Sequence, residues 1–200
     1  MTENEGTKKC YPLLTMLVGL VSFLISGILA GLISLRTNEG MILILGAPIG
    51  SLLMLYFLHE LAEDKNLAVV IRSLLGGFAG FFVGFIVGTL VAELIGLVIP
   101  SLRDMEQVKA QIVPNIVMLM VADAIFGALF GHLLYGRKSI RFFAFLCGIA
   151  SIPFGILLSI PIHIVWIDFN QNILFTLVSF GTTTGLSMGL YRFIKLKSKR

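Results

Sequence analysis

Charge is scarce in this chain. Asp, Glu, Lys and Arg make up 13% of its 200 residues while 57% are hydrophobic, where a soluble globular domain carries about a quarter charged residues. With a mean hydropathy of +0.98, this composition excludes an ordinary soluble domain. Cysteine is nearly absent too. Cys10 and Cys147 are the whole complement, so no disulfide framework is expected, and plain free thiols are the simpler reading than acylation at Cys10. There is no glycine-rich phosphate loop, CxxC, HExxH, GxSxG or pair of intramembrane catalytic aspartates, which removes the usual signatures of nucleotide, zinc and hydrolase chemistry. No cofactor is implied. The polar connections are too short for a nucleotide-binding domain, so a primary pump in one chain is excluded, whereas a membrane subunit driven by a separate ATPase is not.

What fills the chain instead is apolar sequence in runs long enough to cross a bilayer, which takes about 20 residues. Six such runs are visible: Leu13–Leu35, Met41–Leu61, Ser73–Ile99, Ile112–Tyr135, Phe142–Ile167 and Ile173–Ile194. The expected fold is an all-α integral membrane protein of six transmembrane helices. Its membrane domain would cover 13–194, between a polar segment 1–12 and a basic tail 195–200. The first run is too long for the core of a cleavable signal peptide. Pro100 closes the third run, and Pro114 is expected in the first turn of the fourth helix, where its missing N–H costs little.

Orientation follows from basic residues, which favour the cytoplasmic side. With the N-terminus inside, all but Arg36, Arg103 and Lys109 of the 15 Lys and Arg fall on cytoplasmic segments. The expectation is a multi-pass protein of the cell membrane with both termini cytoplasmic. Its net charge of +4 then suits anionic headgroups, and nucleic acid is not an expected partner.

The third run is the organising stretch. Gly76, Gly80, Gly84, Gly88, Ala92 and Gly96 recur every four residues with apolar residues between. In water each interior glycine would cost a helix about 1 kcal/mol. In lipid the backbone bonds to itself regardless, and small residues four apart admit a close neighbour. Ser22, Ser26, Ala30 and Ser34 form a second stripe, and Gly181, Gly185 and Gly189 a third.

Sliding the chain by 105 residues aligns unusual features at once. Gly31-x-x-Ser34-Leu35-Arg36 falls on Gly136-x-x-Ser139-Ile140-Arg141, Pro48-x-Gly50 on Pro153-x-Gly155, and Gly76, Gly80 and Gly84 on Gly181, Gly185 and Gly189. Either apolar helices have converged on the same small residues, or 13–99 and 112–194 are two three-helix repeats. An odd number of helices per repeat inverts the second unit, as in many transporters and channels.

Two acids lie within the apolar runs. Glu93 stands about 9 Å from the outer end of its run and Asp123 about 16 Å deep in the next, at 1.5 Å per residue. Side chains lean toward their helix N-terminus, so in antiparallel neighbours these two lean together. The functional reading is a proton or cation site shared by Glu93 and Asp123. The plain reading is a snorkelling Glu93 and a neutral, hydrogen-bonded Asp123.

Two further groups carry weaker signals. His59 and Glu63, at i and i+4, present two ligands of a metal site and His132 a third, but the second histidine of a zinc-protease helix is missing. His163, Trp166, Asp168, Asn170, Gln171 and Asn172 make a polar outer loop, read as an interfacial rim or a solute entry. Thr182, Thr183 and Thr184 can line a polar path, though threonine in a helix often bonds back to its own backbone.

The reading favoured by the residues is a small membrane transport protein, either channel, carrier or transporter subunit, moving a small solute or ion. Its pathway would lie among the second to fifth helices, with Pro48, Gly50, Pro153 and Gly155 freeing carbonyls toward it. The lipid bilayer, a small solute or cation, and other copies or membrane subunits are the partners implied. The alternatives are a structural subunit of a membrane complex and an intramembrane metal-dependent hydrolase.

Overall fold

The computed structural model describes residues 12–37, 44–58, 67–98, 107–159 and 171–197. They form α1 (Pro12–Thr37), α2 (Gly46–Phe57), α3 (Leu67–Val98), α4 (Gln107–Tyr135), a 3₁₀ turn at Arg137–Ser139, α5 (Ile140–Ala150), α6 (Ile152–Leu158) and α7 (Gln171–Lys197), with no strand among the described residues. Five stretches are long and apolar enough to cross a membrane: Pro12–Ser34, Leu67–Val98, Gln111–Tyr135, Arg137–Leu158 and Ile173–Lys195. The protein is therefore a multi-pass helical membrane protein. The expected second span is shorter than its apolar run. In the described part α2 has 12 residues, about 18 Å of helix, against a hydrocarbon core of about 30 Å.

Helix ends depart from the apolar runs where interfacial residues continue the backbone ladder. α3 begins at Leu67 and has 32 residues. α4 begins at Gln107, which leaves Pro114 inside the helix instead of in its first turn. Pro48, by contrast, is the third residue of α2 after the N-cap Leu45, where an N–H would have no intrahelical acceptor anyway. The fifth span is divided at Ser151. Pro153 cannot donate to the ladder, and the amides of Phe154 and Gly155 both turn to the Ser151 carbonyl, at 2.9 and 3.1 Å.

α3 lies along α4, and α1 along α7. α2 packs on α1 and α3, while α5 and α6 pack on α4 and reach α7. In the first pair an ideal Cβ on Gly84 would sit 2.6 Å from the Ala122 carbonyl oxygen, and one on Gly88 2.5 Å from that of Met118. Gly80 lies against Phe126 and Gly76 against Phe130 and Leu133. The ladder's close approach ends before Gly96, where a Cβ would meet nothing within 4 Å. In the second pair Gly181 meets Gly19 and Phe23, Gly185 meets Thr15 and Met16, and Gly189 meets Thr15 and Pro12. Gly19, absent from the serine stripe, is therefore where α1 comes closest to α7. Ser22, Ser26 and Ala30 are buried, with Ser26 lying against Gly50 and Ala30 against Gly46 of α2.

The contact of Gly189 with Pro12 puts both ends of the described chain at one end of the bundle. Arg192 Nε donates to the Tyr135 hydroxyl at 3.1 Å, and Tyr135 stacks on Phe143 at 5.6 Å, so α4 ends and α5 begins there. Arg72, Arg137, Lys138, Arg141, Arg192 and Lys195 gather at this basic end. Farther in, Phe126 stacks on Phe180 at 4.5 Å and meets Phe23 edge-on at 6.0 Å, while Phe81 meets Phe180 at 5.8 Å. This phenylalanine cluster is the hub joining α1, α3, α4 and α7.

Gly136 links α4 to the 3₁₀ turn at φ +83° and ψ −177°, a region open essentially to glycine. A Cβ there would meet nothing within 4 Å, so strain acts alone. Gly136→Ala is expected to lower stability by about 1–3 kcal/mol, read as a lower thermal midpoint in detergent. An unchanged midpoint would mean that the turn relaxes.

Candidate functional site

Most buried hydroxyls in this bundle serve their own helix. Ser22 bonds Val18 O, Ser26 bonds Phe23 O, Ser51 bonds Ala47 O, Ser151 bonds Gly148 O and Thr182 bonds Val178 O, all between 2.7 and 3.1 Å. Such back-bonding satisfies the hydroxyl and makes no site. Ser179 and Thr183 behave differently. One turn apart on α7, they reach across to α4, where Ser179 Oγ donates to Asp123 Oδ2 at 2.9 Å and Thr183 Oγ1 to Asp123 Oδ1 at 2.5 Å.

Asp123 is fully buried, and so are Ser179, Thr184, Ser187 and Cys147, with Thr183 at 1% exposure. Cys147 brings α5 into the group. Its Sγ lies 3.2 Å from Ser187 Oγ, in a notch left by Gly127, where a Cβ would stand 2.5 Å from the sulfur. Ser187 in turn donates to the Thr183 carbonyl at 2.8 Å. The Thr184 hydroxyl is buried with no hydrogen-bond partner among the described residues. The result is a closed polar cluster where α4, α5 and α7 meet.

Depth follows from the register of α3 on α4. Gly84 opposite Ala122 and Gly88 opposite Met118 put Asp123 level with about residue 83 of α3. Arg72 and Glu93, both exposed on α3, enclose an uncharged stretch of about 32 Å at 1.5 Å per residue, the thickness of a hydrocarbon core. Asp123 thus lies level with the middle of that uncharged stretch, roughly 16 Å from either end. An ionised side chain there costs several kcal/mol unless it is paired or hydrated, and the two hydroxyls are the compensation provided.

The expected pairing of Asp123 with Glu93 does not occur. By the same register Glu93 is level with about residue 113 of α4, roughly 15 Å from Asp123 along the axis. It is also exposed, and a step of about 100° per residue carries it to the side of α3 opposite the glycines. Glu93 is exposed on α3 and takes no part in the cluster. Glu93→Gln is accordingly expected to change stability by less than about 0.5 kcal/mol and to leave any flux at its wild-type rate. A flux loss matching that of an Asp123 variant would restore it to the site.

Of the helix-breaking residues expected to open a pathway, Pro48, Gly50 and Gly155 are packed closed. A Cβ on Gly50 would stand 2.7 Å from Ser26 Oγ and 2.8 Å from Phe23, and one on Gly155 2.5 Å from Ile116 Cα. Pro48 is buried against Gly77, whereas Pro153 faces outward. Pro48, Gly50 and Gly155 admit neighbouring helices. Of the metal candidates, His59 and Glu63 lie outside the described residues, as do Cys10, Pro100 and, from the outer loop, His163, Trp166, Asp168 and Asn170, while Gln171 and Asn172 begin α7. His132 is half-buried on the side of α4 away from Asp123, with Nδ1 buried and unpartnered. Among the described residues no three His, Cys, Asp or Glu stand close enough to hold a metal ion.

Polar groups continue from the cluster toward both ends of the bundle. Outward, Asn115 Nδ2 donates to Ser159 Oγ at 3.1 Å, joining α4 to the end of α6. Inward, Cys147 and Ser187 lead toward Tyr135 and Arg192. Sequence reasoning named Asp123, Thr183 and Thr184 but missed Ser179 and Ser187. Their four-residue spacing about Thr183 was the signal available, since it puts three hydroxyls on one stripe. Comparison with known protein families, curated proteins and solved structures finds no match for this chain.

Proposed function

We propose that this chain is a small membrane transport protein, a carrier or the membrane subunit of one, that moves a small solute or ion by using Asp123 as its charged site. The observation carrying this reading is a carboxyl group level with the middle of the uncharged stretch of α3, fully buried, held by hydroxyls of another helix. Intramembrane ionisable residues are rare and mark ion or proton pathways more often than they serve packing. The gathering of basic residues at one end supports a cytoplasmic location for that end and for both termini in a cell membrane.

An inverted repeat of 13–99 and 112–194 belongs to the same proposal, with α2 as the second of six membrane segments. A two-fold axis in the membrane plane exchanges the first helix of one half with the first of the other, and the third with the third. It therefore turns the α1–α7 pair into the α4–α3 pair, and these are the two long pairings in the bundle. Gly80 and Gly185 then stand on equivalent helices and face equivalent helices, although the residues they meet differ, Phe126 for Gly80 and Thr15 and Met16 for Gly185. Pro48 and Pro153 each begin a short helix, though one is buried and the other exposed. Asp123 has no counterpart, since the aligned position is Val18, so the site is asymmetric.

The rival reading is a structural subunit in which Asp123 merely clasps α4 to α7. Both carboxyl oxygens being occupied favours it. Purified protein in sealed liposomes decides between them. Proton or monovalent-cation flux above that of protein-free vesicles supports transport, and flux at the protein-free level under imposed gradients of either ion leaves the clasp.

A further inference from the structure

We propose that Asp123 is a reversible proton-binding group, with Ser179 and Thr183 arranged to serve both its ionised and its neutral form, and that the ion handled at this site is the proton. The claim deepens the transport reading and rests on it for its cellular meaning. The proton binding itself stands on the geometry.

The decisive feature is that Thr183 has two acceptors. Its Oγ1 lies 2.5 Å from Asp123 Oδ1 and 3.3 Å from the Phe180 carbonyl oxygen of its own helix. A hydroxyl has one proton to donate and two lone pairs to accept with. When Asp123 is ionised, Thr183 donates to Oδ1 and Ser179 to Oδ2. When a proton sits on Oδ1, the Asp123 O–H donates to Thr183 Oγ1, and the Thr183 proton turns to the Phe180 carbonyl. Oδ2 is then the carbonyl oxygen of the acid and keeps its bond from Ser179. Every donor in the trio has an acceptor in both states, and the change needs only a rotation about one C–O bond.

A metal cation fits the same atoms poorly. Hard cations such as calcium take about six to eight oxygens at about 2.3–2.6 Å. Here the hydroxyl oxygens already touch the carboxyl oxygens, one carboxyl group faces the site, and an ion would have to part α4 from α7. The surroundings of Asp123 also suit a single titrating proton. Among the elements packed around it, α5 turns one titratable group inward, Cys147, whose sulfur is engaged with Ser187. α2 and α6 contain no charged residue. α3 directs Arg72 and Glu93 outward, and α7 carries its charges, Arg192, Lys195 and Lys197, in its last two turns at the basic end. In one cycle a proton leaves hydronium on one side, bonds to Oδ1, and is passed to water on the other. No other bond is made or broken.

The test is infrared difference spectroscopy of the full chain in lipid nanodiscs as pH is varied. The wild type is expected to show a carboxylic-acid C=O band that grows on acidification, disappears completely in Asp123→Asn, and is indifferent to sodium. Ser179→Ala should move that band to higher frequency, because the Oδ2 carbonyl loses its donor; a purely structural Asp123 would give no such band to move. This second variant keeps the test decisive should Asp123→Asn fold poorly. Identical difference spectra for wild type and Asp123→Asn would overturn the proposal, as would a band titrated away by sodium, which means a metal cation. If the band behaves as expected and liposomes show no flux, the transport reading fails and proton binding stands. Flux with no Asp123 band means the reverse.

Discussion

Gly185→Leu is expected to cost about 3 kcal/mol or more, at or above the top of the usual range for overpacking. The reason lies in what the new side chain would meet. At Gly185 the first added carbon runs into the Thr15 carbonyl oxygen, and at Gly181 it stands 2.5 Å from the Gly19 carbonyl oxygen. Neither obstacle is a side chain that can swing aside, so α1 and α7 would have to separate along their whole contact. Helices in lipid associate through close van der Waals packing without a hydrophobic drive, which leaves little to offset that loss. A graded series follows. Gly84→Leu should be similarly damaging, since Ala122 O stands 2.6 Å from its Cβ position. Gly76→Ala should be mild, since its nearest neighbour is the flexible tip of Leu133 at 3.2 Å. Gly96→Leu should be neutral. Thermal unfolding of the four variants in one detergent gives the order directly, and a wild-type midpoint for Gly185→Leu would mean that α1 and α7 do not pack here.

The small-residue spacing that makes this series possible was legible in the sequence, because a four-residue period in an apolar run has few uses other than close helix contact. The partner of each stripe was not. Nothing local says that α7 meets α1, a pairing between the two ends of the chain. The same limit governs the site. Asp123 stood out as an acid in an apolar run, and adjacency in sequence suggested Glu93 as its partner. Its hydrogen bonds go instead to Ser179 and Thr183, 56 and 60 residues away. Part of this was readable. The helical wheel that groups Gly76 to Gly88 sets Glu93 on the opposite side of α3, which already parts it from a neighbour packed on those glycines. The prolines misled for a different reason. A proline in an apolar run suggests a broken span, and the fifth span is divided beside Pro153. Yet Pro48 starts a short helix, and Pro114, expected in a first turn, lies inside α4 because that helix begins earlier, at Gln107.

Asp123→Asn is expected to reduce flux to the level of protein-free liposomes while leaving the fold nearly intact. Asparagine has the same shape. Its carbonyl still accepts from one hydroxyl, and its amide can donate to the oxygen of the other, so the link from α4 to α7 survives at a cost of about 1 kcal/mol, one hydrogen bond's worth. What it lacks is a group that gains and loses a proton or balances a cation. Asp123→Ala goes further. It opens a small cavity and removes both acceptors, although Thr183 can fall back on the Phe180 carbonyl, so the expected cost is about 1–3 kcal/mol. If Asp123 is a transport group, the two variants lose flux equally while differing in stability. A clasp gives the opposite pattern, in which any flux falls only as far as the melting temperature does and Asp123→Asn transports almost normally. Stability and flux measured on the same preparations separate these cases, because the asparagine variant changes the charge and keeps the clasp. Wild-type flux in a well-folded Asp123→Asn would remove Asp123 from the pathway and, with it, the proposed transport site.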